Sequence, residues 1–303
     1  MAEIRRVGVV GAGTMGNGIA QVFAQQGFDV RLVDAVASAL ERARGAIDKS
    51  LSRFVEKGKL TGEARDAALG RLATGTDVEA LADVDYVVEA VVEDLGVKRE
   101  LFGRLDAITR PDVILSSNTS SISITVLGAA TKRPDKVLGM HFMNPVPLMT
   151  LVELIRGQAT SPASMAVAAD LCATLGKTAL EAADYPGFIA NRILMPMINE
   201  AIYALMEGVG TPEAIDGVMK LGMNHPMGPL TLADFIGLDV CLAILNVLHD
   251  GLGDPKYRPC PLLRQYVAAG WLGRKAGRGF HHYPAAPATA SGMFPVAGAG
   301  QAR

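Results

Sequence analysis

Residues Ile4 to Gly16 read IRRVGVVGAGTMG, an apolar run that leads directly into a glycine-rich turn. Helical character begins at Asn17, so the stretch predicts a strand, a turn and a helix. Glycines in such a turn permit a tight bend, close approach of backbone N–H groups to a pyrophosphate, and close packing of the helix on the strand. The residues that would bind a dinucleotide here are Gly11, Gly13, Thr14, Met15 and Gly16.

A second apolar segment, Gly27 to Val33, ends at Asp34. In dinucleotide-binding folds an acid roughly 20 residues beyond the glycines binds the hydroxyls of the adenine ribose and repels a 2′-phosphate. Asp34 follows Gly16 at about that distance, whereas a glycine motif alone would also fit a purely structural turn. The acid therefore favours dinucleotide binding and predicts NAD as the cofactor.

Strand-like and helical segments alternate through the first 184 residues. The segment from Val36 to Gly70 has the pattern of two helices, longer than an ordinary crossover, and predicts an inserted helical hairpin. Alternation of this kind predicts an α/β domain with a mostly parallel, Rossmann-type sheet over residues 1–184. Its later strands are predicted at Asp85 to Val92, Val113 to Ser117 and Lys177 to Glu181.

The stretch from Lys136 to Gly157 reads KVLGMHFMNPVPLMTLVELIRG and differs from the other strand segments. Strand-forming residues fill Val137 to Phe142 and Thr150 to Ile155, and the asparagine and two prolines between them break any helix. The stretch therefore predicts two antiparallel strands joined by a turn.

Two ionisable side chains, His141 and Glu153, stand among the apolar residues of this hairpin. If Phe142 lies opposite Val152, then His141 lies opposite Glu153, with Cβ atoms roughly 5 Å apart. A carboxylate next to an imidazole fixes its tautomer and stabilises the imidazolium, as a general base requires. The alternative is a core histidine whose hydrogen bond is supplied by a buried carboxylate.

Polar residues follow the strand that ends at Ser117, in the sequence Asn118-Thr119-Ser120-Ser121. Ligands of parallel sheets lie at the carboxyl ends of the strands, so these side chains are candidates for contacting substrate or cofactor. The alternative is a helix cap, with Ser121 as the capping residue before a helix from Ile122 to Ala129.

A basic stripe is predicted on the inserted helical hairpin. Lys49, Arg53 and Lys57 recur at intervals of one helical turn, with Ser50 and Lys59 nearby, and so share one face. Such a stripe is usually a solvated surface, and binding of an anion is the alternative.

From Phe188 onward the apolar residues follow helical spacing, which predicts an all-helical domain over residues 185–283. Its first helix carries Asn191 and Arg192, polar groups suited to a cleft. The very apolar run from Pro229 to Leu248 predicts one long helix that serves the core and a subunit interface. Residues 284–303 are rich in alanine, proline and glycine and predict a disordered tail.

The composition limits the partners and the compartment. A net charge of −2 and a pI near 6.2 give no basis for binding nucleic acid or an anionic membrane, and no apolar run reaches membrane-spanning length. The three cysteines, Cys172, Cys241 and Cys260, form no CxxC pair. They predict a reducing compartment, the cytoplasm, and no metal site.

Six motifs together resemble the L-3-hydroxyacyl-CoA dehydrogenase family, most closely its short-chain bacterial members. They are GAGTMG at Gly11, SSNTSSISI at Ser116, GMHFMNP at Gly139, LVELIRG at Leu151, YPGFIANR at Tyr185 and HPMGPL at His225. The likeness runs from about Ile4 to Tyr283. It implies NAD-dependent interconversion of an (S)-3-hydroxyacyl-CoA and the 3-oxoacyl-CoA, with a four-carbon acyl group, by a homodimer.

The resemblance also implies a role for each matching residue. His141 is then the general base, Glu153 its orienting partner, and Ser120 and Asn191 bind the reacting oxygen. The implied cofactor contacts are Asp34, Glu93, Lys98 and Asn118, and the implied coenzyme A contacts on the basic stripe are Ser50, Arg53 and Lys57. Met143, Thr150 and His281-His282 depart from the family pattern, and the first two flank the hairpin and leave the acyl-chain preference open.

Two rival functions remain open from the sequence. A dehydrogenase of the same build that acts on a free hydroxy acid or sugar acid would need no basic stripe around Lys57. A non-catalytic dinucleotide-binding or structural protein would tolerate loss of His141. Fold alone does not distinguish these classes, because one fold hosts many functions.

Overall fold

The computed structural model describes residues 4–284 of the chain, which form two compact units that divide between Tyr185 and Pro186. The first unit is built on one sheet of eight strands. In chain order these are β1 (Arg6–Val10), β2 (Asp29–Val33), β3 (Leu72–Gly75), β4 (Tyr86–Glu89), β5 (Ile114–Ser117), β6 (Val137–Phe142), β7 (Leu151–Arg156) and β8 (Thr178–Ala183).

The spatial order of the sheet is β3-β2-β1-β4-β5-β6-β7-β8. All neighbouring strands are parallel except β6 and β7, which are antiparallel. The direction of winding reverses between β1 and β4, and ligands of open α/β sheets bind at the carboxyl ends of the strands beside such a reversal. The predicted Rossmann-type, mostly parallel sheet is confirmed.

Helices connect and cover these strands. They are α1 (Thr14–Gln25), α2 (Ala37–Glu56), α3 (Gly62–Gly70), α4 (Leu95–Ile108), α5 (Ile124–Gly128) and α6 (Pro162–Thr174). The inserted pair is α2 and α3, as predicted. Leu40, Ala43, Ile47 and Leu51 recur at helical spacing along α2 and are all buried in the core of this unit. Burial of apolar surface contributes a favourable free energy of roughly 25 cal/mol per Å², and this holds the buried face of α2 against the rest of the unit.

Two local features of the first unit differ from what the sequence predicts. Strand β3 was not expected, because only Leu72 of its four residues is buried and so little apolar pattern marks it. The helix after β5 starts later than predicted and is capped by Ser123, whose side chain accepts from the Val126 N–H. Ser121 is not the cap, since its hydroxyl donates to Glu93 instead.

The second unit is helical, as predicted. Its helices are α7 (Ala190–Met206), α8 (Pro212–Gly222), α9 (Pro229–Ile236), α10 (Leu238–Leu252) and α11 (Pro261–Ala268). The single helix predicted from Pro229 to Leu248 is wrong, because α9 and α10 meet at Gly237 with a bend of 98°. Gly237 has a φ of +105°, a backbone conformation that side chains rarely adopt and that ends the first helix.

Within the described residues no single helix is long and apolar enough to cross a membrane. The bent pair α9 and α10 reaches the required length and hydropathy only when its two halves are taken together. Leu230, Leu238, Leu245 and Leu248 from this pair are fully buried in the core of the second unit. Residues 285–303 of the predicted tail lie outside the described part of the chain.

Candidate active site

The glycine-rich turn lies between β1 and α1, at the carboxyl edge of the sheet. A Cβ on Gly11 would lie 2.4 Å from the Ala90 carbonyl oxygen, and one on Gly16 would lie 1.7 Å from the Gly11 oxygen. Both positions therefore require glycine for the packing of this unit. A Cβ on Gly13 would meet no protein atom within 4 Å.

Gly13 is also the N-cap residue of α1, and it offers the helix no side-chain cap. The first N–H groups of a helix have no partner within the helix and carry its positive end, so they suit an anionic group. The space that a side chain at residue 13 would fill is open and lies beside these donors. It therefore fits the pyrophosphate of NAD.

Asp34 stands at the end of β2, directly against this turn. Its Oδ2 accepts from the Ala12 N–H at 2.7 Å, and its Oδ1 accepts from the Val36 N–H at 2.9 Å. The backbone thus holds the carboxylate beside the glycine turn, where the sequence predicted a ribose-binding acid. Arg31 on the same strand is held elsewhere, because its Nη1 and Nη2 both donate to Asp83.

The hairpin of β6 and β7 has the register that the sequence predicted, with His141 opposite Glu153 and Phe142 opposite Val152. His141 Nδ1 and Glu153 Oε2 are 2.8 Å apart. The histidine is 9% exposed and the glutamate 3%, so the hydrogen bond is shielded from water. An ionised carboxylate only accepts, so the Nδ1–H donates and proton exchange with a substrate has to run through Nε2.

Asn118 connects the end of β5 to the strand that carries His141. Its backbone N–H donates to the Glu89 carbonyl at 2.7 Å, and its Oδ1 accepts from the Phe142 N–H at 2.9 Å. The amide side chain therefore fixes the loop after β5 against the residue next to His141. Residues Asn118 to Ser121, called the hydroxyl loop below, are thereby connected to β6 at the carboxyl edge of the sheet.

The Glu93 carboxylate accepts hydrogen bonds from the hydroxyl residues of that loop. Its Oε1 accepts from Thr119 Oγ1 at 2.6 Å, the Ser120 N–H at 2.9 Å, Ser120 Oγ at 3.3 Å and Ser121 Oγ at 3.0 Å. Burial raises the pKa of Glu93, but the Lys98 charge and these donors outweigh it, so the pKa lies below its ordinary value. Glu93 is therefore ionised at neutral pH and holds Ser120 in place.

Lys98 is only 1% exposed, and its ammonium group lies between two carboxylates. Its Nζ is 2.5 Å from Glu89 Oε1 and 3.4 Å from Glu93 Oε2. Sequence reasoning assigned no role to Glu89, which is fully buried at the end of β4. The available signal was an acid inside an otherwise apolar run, DYVVEAVV from Asp85 to Val92.

The remaining predicted residues lie on α2, at its end, or on α7. Lys49 and Lys57 are exposed, with Lys57 at the end of α2, and Ser50 and Arg53 are half-buried. Asn191 lies in the first turn of α7, in the second unit, and is 8% exposed. Within residues 4–284, no group of three or more histidine, cysteine, aspartate or glutamate side chains could hold a metal ion.

Comparison with known families covers both units. A model described as 3-hydroxyacyl-CoA dehydrogenase, NAD binding domain, matches residues 6–185. One described as 3-hydroxyacyl-CoA dehydrogenase, C-terminal domain, matches residues 187–283.

Individual relatives match over nearly their whole length. A probable 3-hydroxybutyryl-CoA dehydrogenase of Deinococcus radiodurans is 60% identical, with 92% of this chain and 100% of that protein covered. The 3-hydroxybutyryl-CoA dehydrogenase of Bradyrhizobium diazoefficiens is 57% identical, with 93% and 96% covered. The crystal structure of (S)-3-hydroxybutyryl-CoA dehydrogenase from Ralstonia eutropha has a TM-score of 0.90 at 50% identity, with 93% and 100% covered.

Proposed function

The chain belongs to the 3-hydroxyacyl-CoA dehydrogenase family, and from this we propose that it interconverts (S)-3-hydroxybutyryl-CoA and acetoacetyl-CoA with NAD(H). The observation that carries the proposal is the buried pair of His141 and Glu153, 2.8 Å apart near the carboxyl end of β6, the same end of the parallel strands as the glycine turn. This pair supplies acid–base chemistry, and the glycine turn supplies a place for NAD.

In this proposal His141 accepts the hydroxyl proton at Nε2 during oxidation and returns it during reduction. Glu153 stabilises the imidazolium that forms and keeps the ring oriented. NAD, when bound, supplies the acceptor for the hydride. Ser120 and Asn191 bind the reacting oxygen by hydrogen bonds.

The residues proposed to hold NAD surround the glycine turn and the two loops beside it. Backbone N–H groups at the start of α1 meet the pyrophosphate, and Asp34 accepts from the ribose hydroxyls. The full proposed set is Gly11, Gly13, Thr14, Met15, Gly16, Asp34, Glu93, Lys98 and Asn118.

The test of the proposed function is the oxidation of NADH with acetoacetyl-CoA and with free acetoacetate, at matched concentrations. We expect turnover with the coenzyme A ester and at least about 10²-fold lower kcat/KM with the free acid, because the acid lacks every contact of the coenzyme A moiety. Comparable efficiency with free acetoacetate would instead favour a dehydrogenase of free hydroxy acids. An inactive chain that still binds NADH would favour the non-catalytic alternative.

We expect the protein to prefer NADH over NADPH by at least about tenfold in kcat/KM, a difference of roughly 1.4 kcal/mol. The Asp34 carboxylate would repel a 2′-phosphate, and Arg31, the nearby cation, is already bound to Asp83. Asp34→Ala should reduce the preference, and Arg31→Ala is the matched control that should leave it unchanged. Equal efficiency of the parent chain with NADPH would contradict the role of Asp34.

We propose that the basic stripe of Lys49, Arg53 and Lys57 binds the phosphates of coenzyme A, with Ser50 beside it. Lys57→Ala should raise KM for acetoacetyl-CoA by roughly threefold to tenfold, because a charge-assisted hydrogen bond to phosphate is lost. Binding of NADH should not change. Lys132→Ala removes an exposed lysine elsewhere in the first unit and is the control, and an unchanged KM in Lys57→Ala would make the stripe a solvated surface.

We propose that the protein is a homodimer joined through its helical unit. The run from Leu230 to Leu248 gives less support than its sequence suggested, because much of it is buried in the core of its own unit. The support comes from α8 and its cap, where Val218 is 62%, Leu221 90% and Met223 61% exposed. Light scattering at micromolar concentration should give twice the chain mass, and a monomeric mass would exclude the dimer.

We also propose that the protein acts in the cytoplasm. Its three cysteines are free and buried. Burial raises the pKa of both Cys172 and Cys241 to about 12, which keeps these thiols protonated and unreactive. Free thiols without disulfides suit a reducing compartment.

A further inference from the structure

Glu89 and Lys98 form an ion pair that is almost completely shielded from water. Glu89 is fully buried, Lys98 is 1% exposed, and the two charged groups are 2.5 Å apart. Taking two charges out of water costs free energy that their attraction often does not recover, and apolar replacements of such pairs are frequently as stable. Stability alone is therefore a weak reason for this pair to stand at the carboxyl edge of the sheet.

The Glu89 side chain is bonded to three separate parts of that edge. Besides Lys98 Nζ, its Oε1 accepts from the Val91 N–H at 2.7 Å, in the loop after β4. Its Oε2 accepts from Ser117 Oγ at 2.6 Å, at the end of β5. The Ser117 hydroxyl in turn accepts from the Thr119 N–H at 3.1 Å, so Glu89 also fixes the start of the hydroxyl loop.

Lys98 continues this network to the proposed reaction centre. Its ammonium lies 3.4 Å from Glu93 Oε2, and the other oxygen of Glu93 accepts from the Ser120 N–H and hydroxyl. The positive charge between the two carboxylates keeps Glu93 ionised and directed toward the hydroxyl loop. A series of contacts thus runs from Glu89 through Lys98 and Glu93 to Ser120.

We infer that Glu89 is a positioning residue of the dehydrogenase reaction, which acts through Lys98 and Ser117 to fix where Ser120 stands. The inference rests on the proposed function, in which Ser120 binds the reacting oxygen. It also gives Lys98 a second role beside the proposed cofactor contact, because its ammonium forms ion pairs with Glu89 and Glu93. A hydrogen-bond donor that is misplaced by a fraction of an ångström stabilises the transition state less well.

The test compares three variants of the full chain: Glu89→Gln, Lys98→Met, and the double variant that carries both. Each single variant leaves one buried charge without its main partner and should lose stability and kcat together. The double variant removes both charges and should recover most of the stability, measured by urea unfolding. Its kcat should nevertheless stay at least about tenfold below the parent at saturating NADH, because Glu93 still lacks Lys98.

Ser117→Ala is a milder second variant that keeps both charges and removes only the hydroxyl between Glu89 and Thr119. It should lower kcat by about threefold or more at unchanged KM for NADH, and it remains informative if the charge variants do not fold. A double variant that regains parental kcat along with its stability would make the ion pair purely structural. Lys98→Met with a raised KM for NADH and unchanged kcat would leave Lys98 as a cofactor contact with no positioning role.

Assay of the parent chain with acetoacetyl-CoA separates failure of this inference from failure of the proposed function. An inactive parent overturns both. An active parent with a fully active double variant or Ser117→Ala overturns only the positioning role of Glu89. An active parent, a stable double variant with low kcat and a slowed Ser117→Ala variant are the results that we expect.

Discussion

His141→Ala is expected to lower kcat for acetoacetyl-CoA reduction by about 10²-fold or more, since general acid–base catalysis typically supplies that much. The substitution removes the one ring that Glu153 orients at this edge of the sheet. Steady-state rates with saturating NADH measure the effect. NADH binding, followed by its fluorescence, should change little, because the residues proposed to hold the cofactor are all retained.

The matched control is His249→Ala, which removes a half-exposed histidine of α10 whose Nδ1 lies 3.2 Å from Asp250 Oδ1. It should keep the parental kcat. If His141→Ala also kept the parental kcat, the histidine would be a core residue whose hydrogen bond Glu153 supplies. Loss of NADH binding together with kcat would point to damage of the fold instead.

Glu153→Gln is expected to lower kcat by at least about tenfold and to move the pH profile of ketone reduction to lower pH. During reduction the imidazolium of His141 donates the proton, and the ionised Glu153 stabilises that charged ring. Without the carboxylate charge, the imidazolium that donates the proton is no longer stabilised, so ketone reduction should require a lower pH. Rates of NADH oxidation across the neutral pH range measure both effects.

Glu181→Gln is the matched control for this variant. Glu181 lies on β8, beside β7, and its exposed carboxylate accepts from Arg156 at 2.5 Å. An exposed ion pair of this kind contributes about 0–1 kcal/mol, so its loss should leave the pH profile unchanged. A Glu153→Gln variant with full kcat and the parental profile would show that His141 takes its charge stabilisation from another group.

The register of the hairpin could be predicted from sequence because side chains alternate strictly along a strand. One assumed pair, Phe142 opposite Val152, fixes every other pair, and a slip of one residue would no longer place His141 opposite Glu153. The glycine turn was predictable from local sequence too, since Gly11 and Gly16 each meet a local steric demand. His141, Glu153 and Gly11 all have local signals of this kind.

Other features depend on contacts that a sequence does not display. The break at Gly237 was hidden because apolar residues continue at helical spacing on both sides of it. Strand β3 was hidden because an edge strand with one buried residue has almost no pattern. The burial of Lys98 depends on Glu89, which stands on a different element and meets it only after β4 and α4 are packed.

The pairing of β7 with a strand on each side affects the dynamics of the site. Glu153 is paired on both sides, with His141 on β6 and with Leu180 on β8, so the acid–base pair lies within the sheet. Amides inside a sheet open only with large parts of the fold and exchange their hydrogens slowly. Ser120 lies instead on a loop held by side chains, so motions on binding should concentrate on the oxygen-binding side while the proton-transfer side stays rigid.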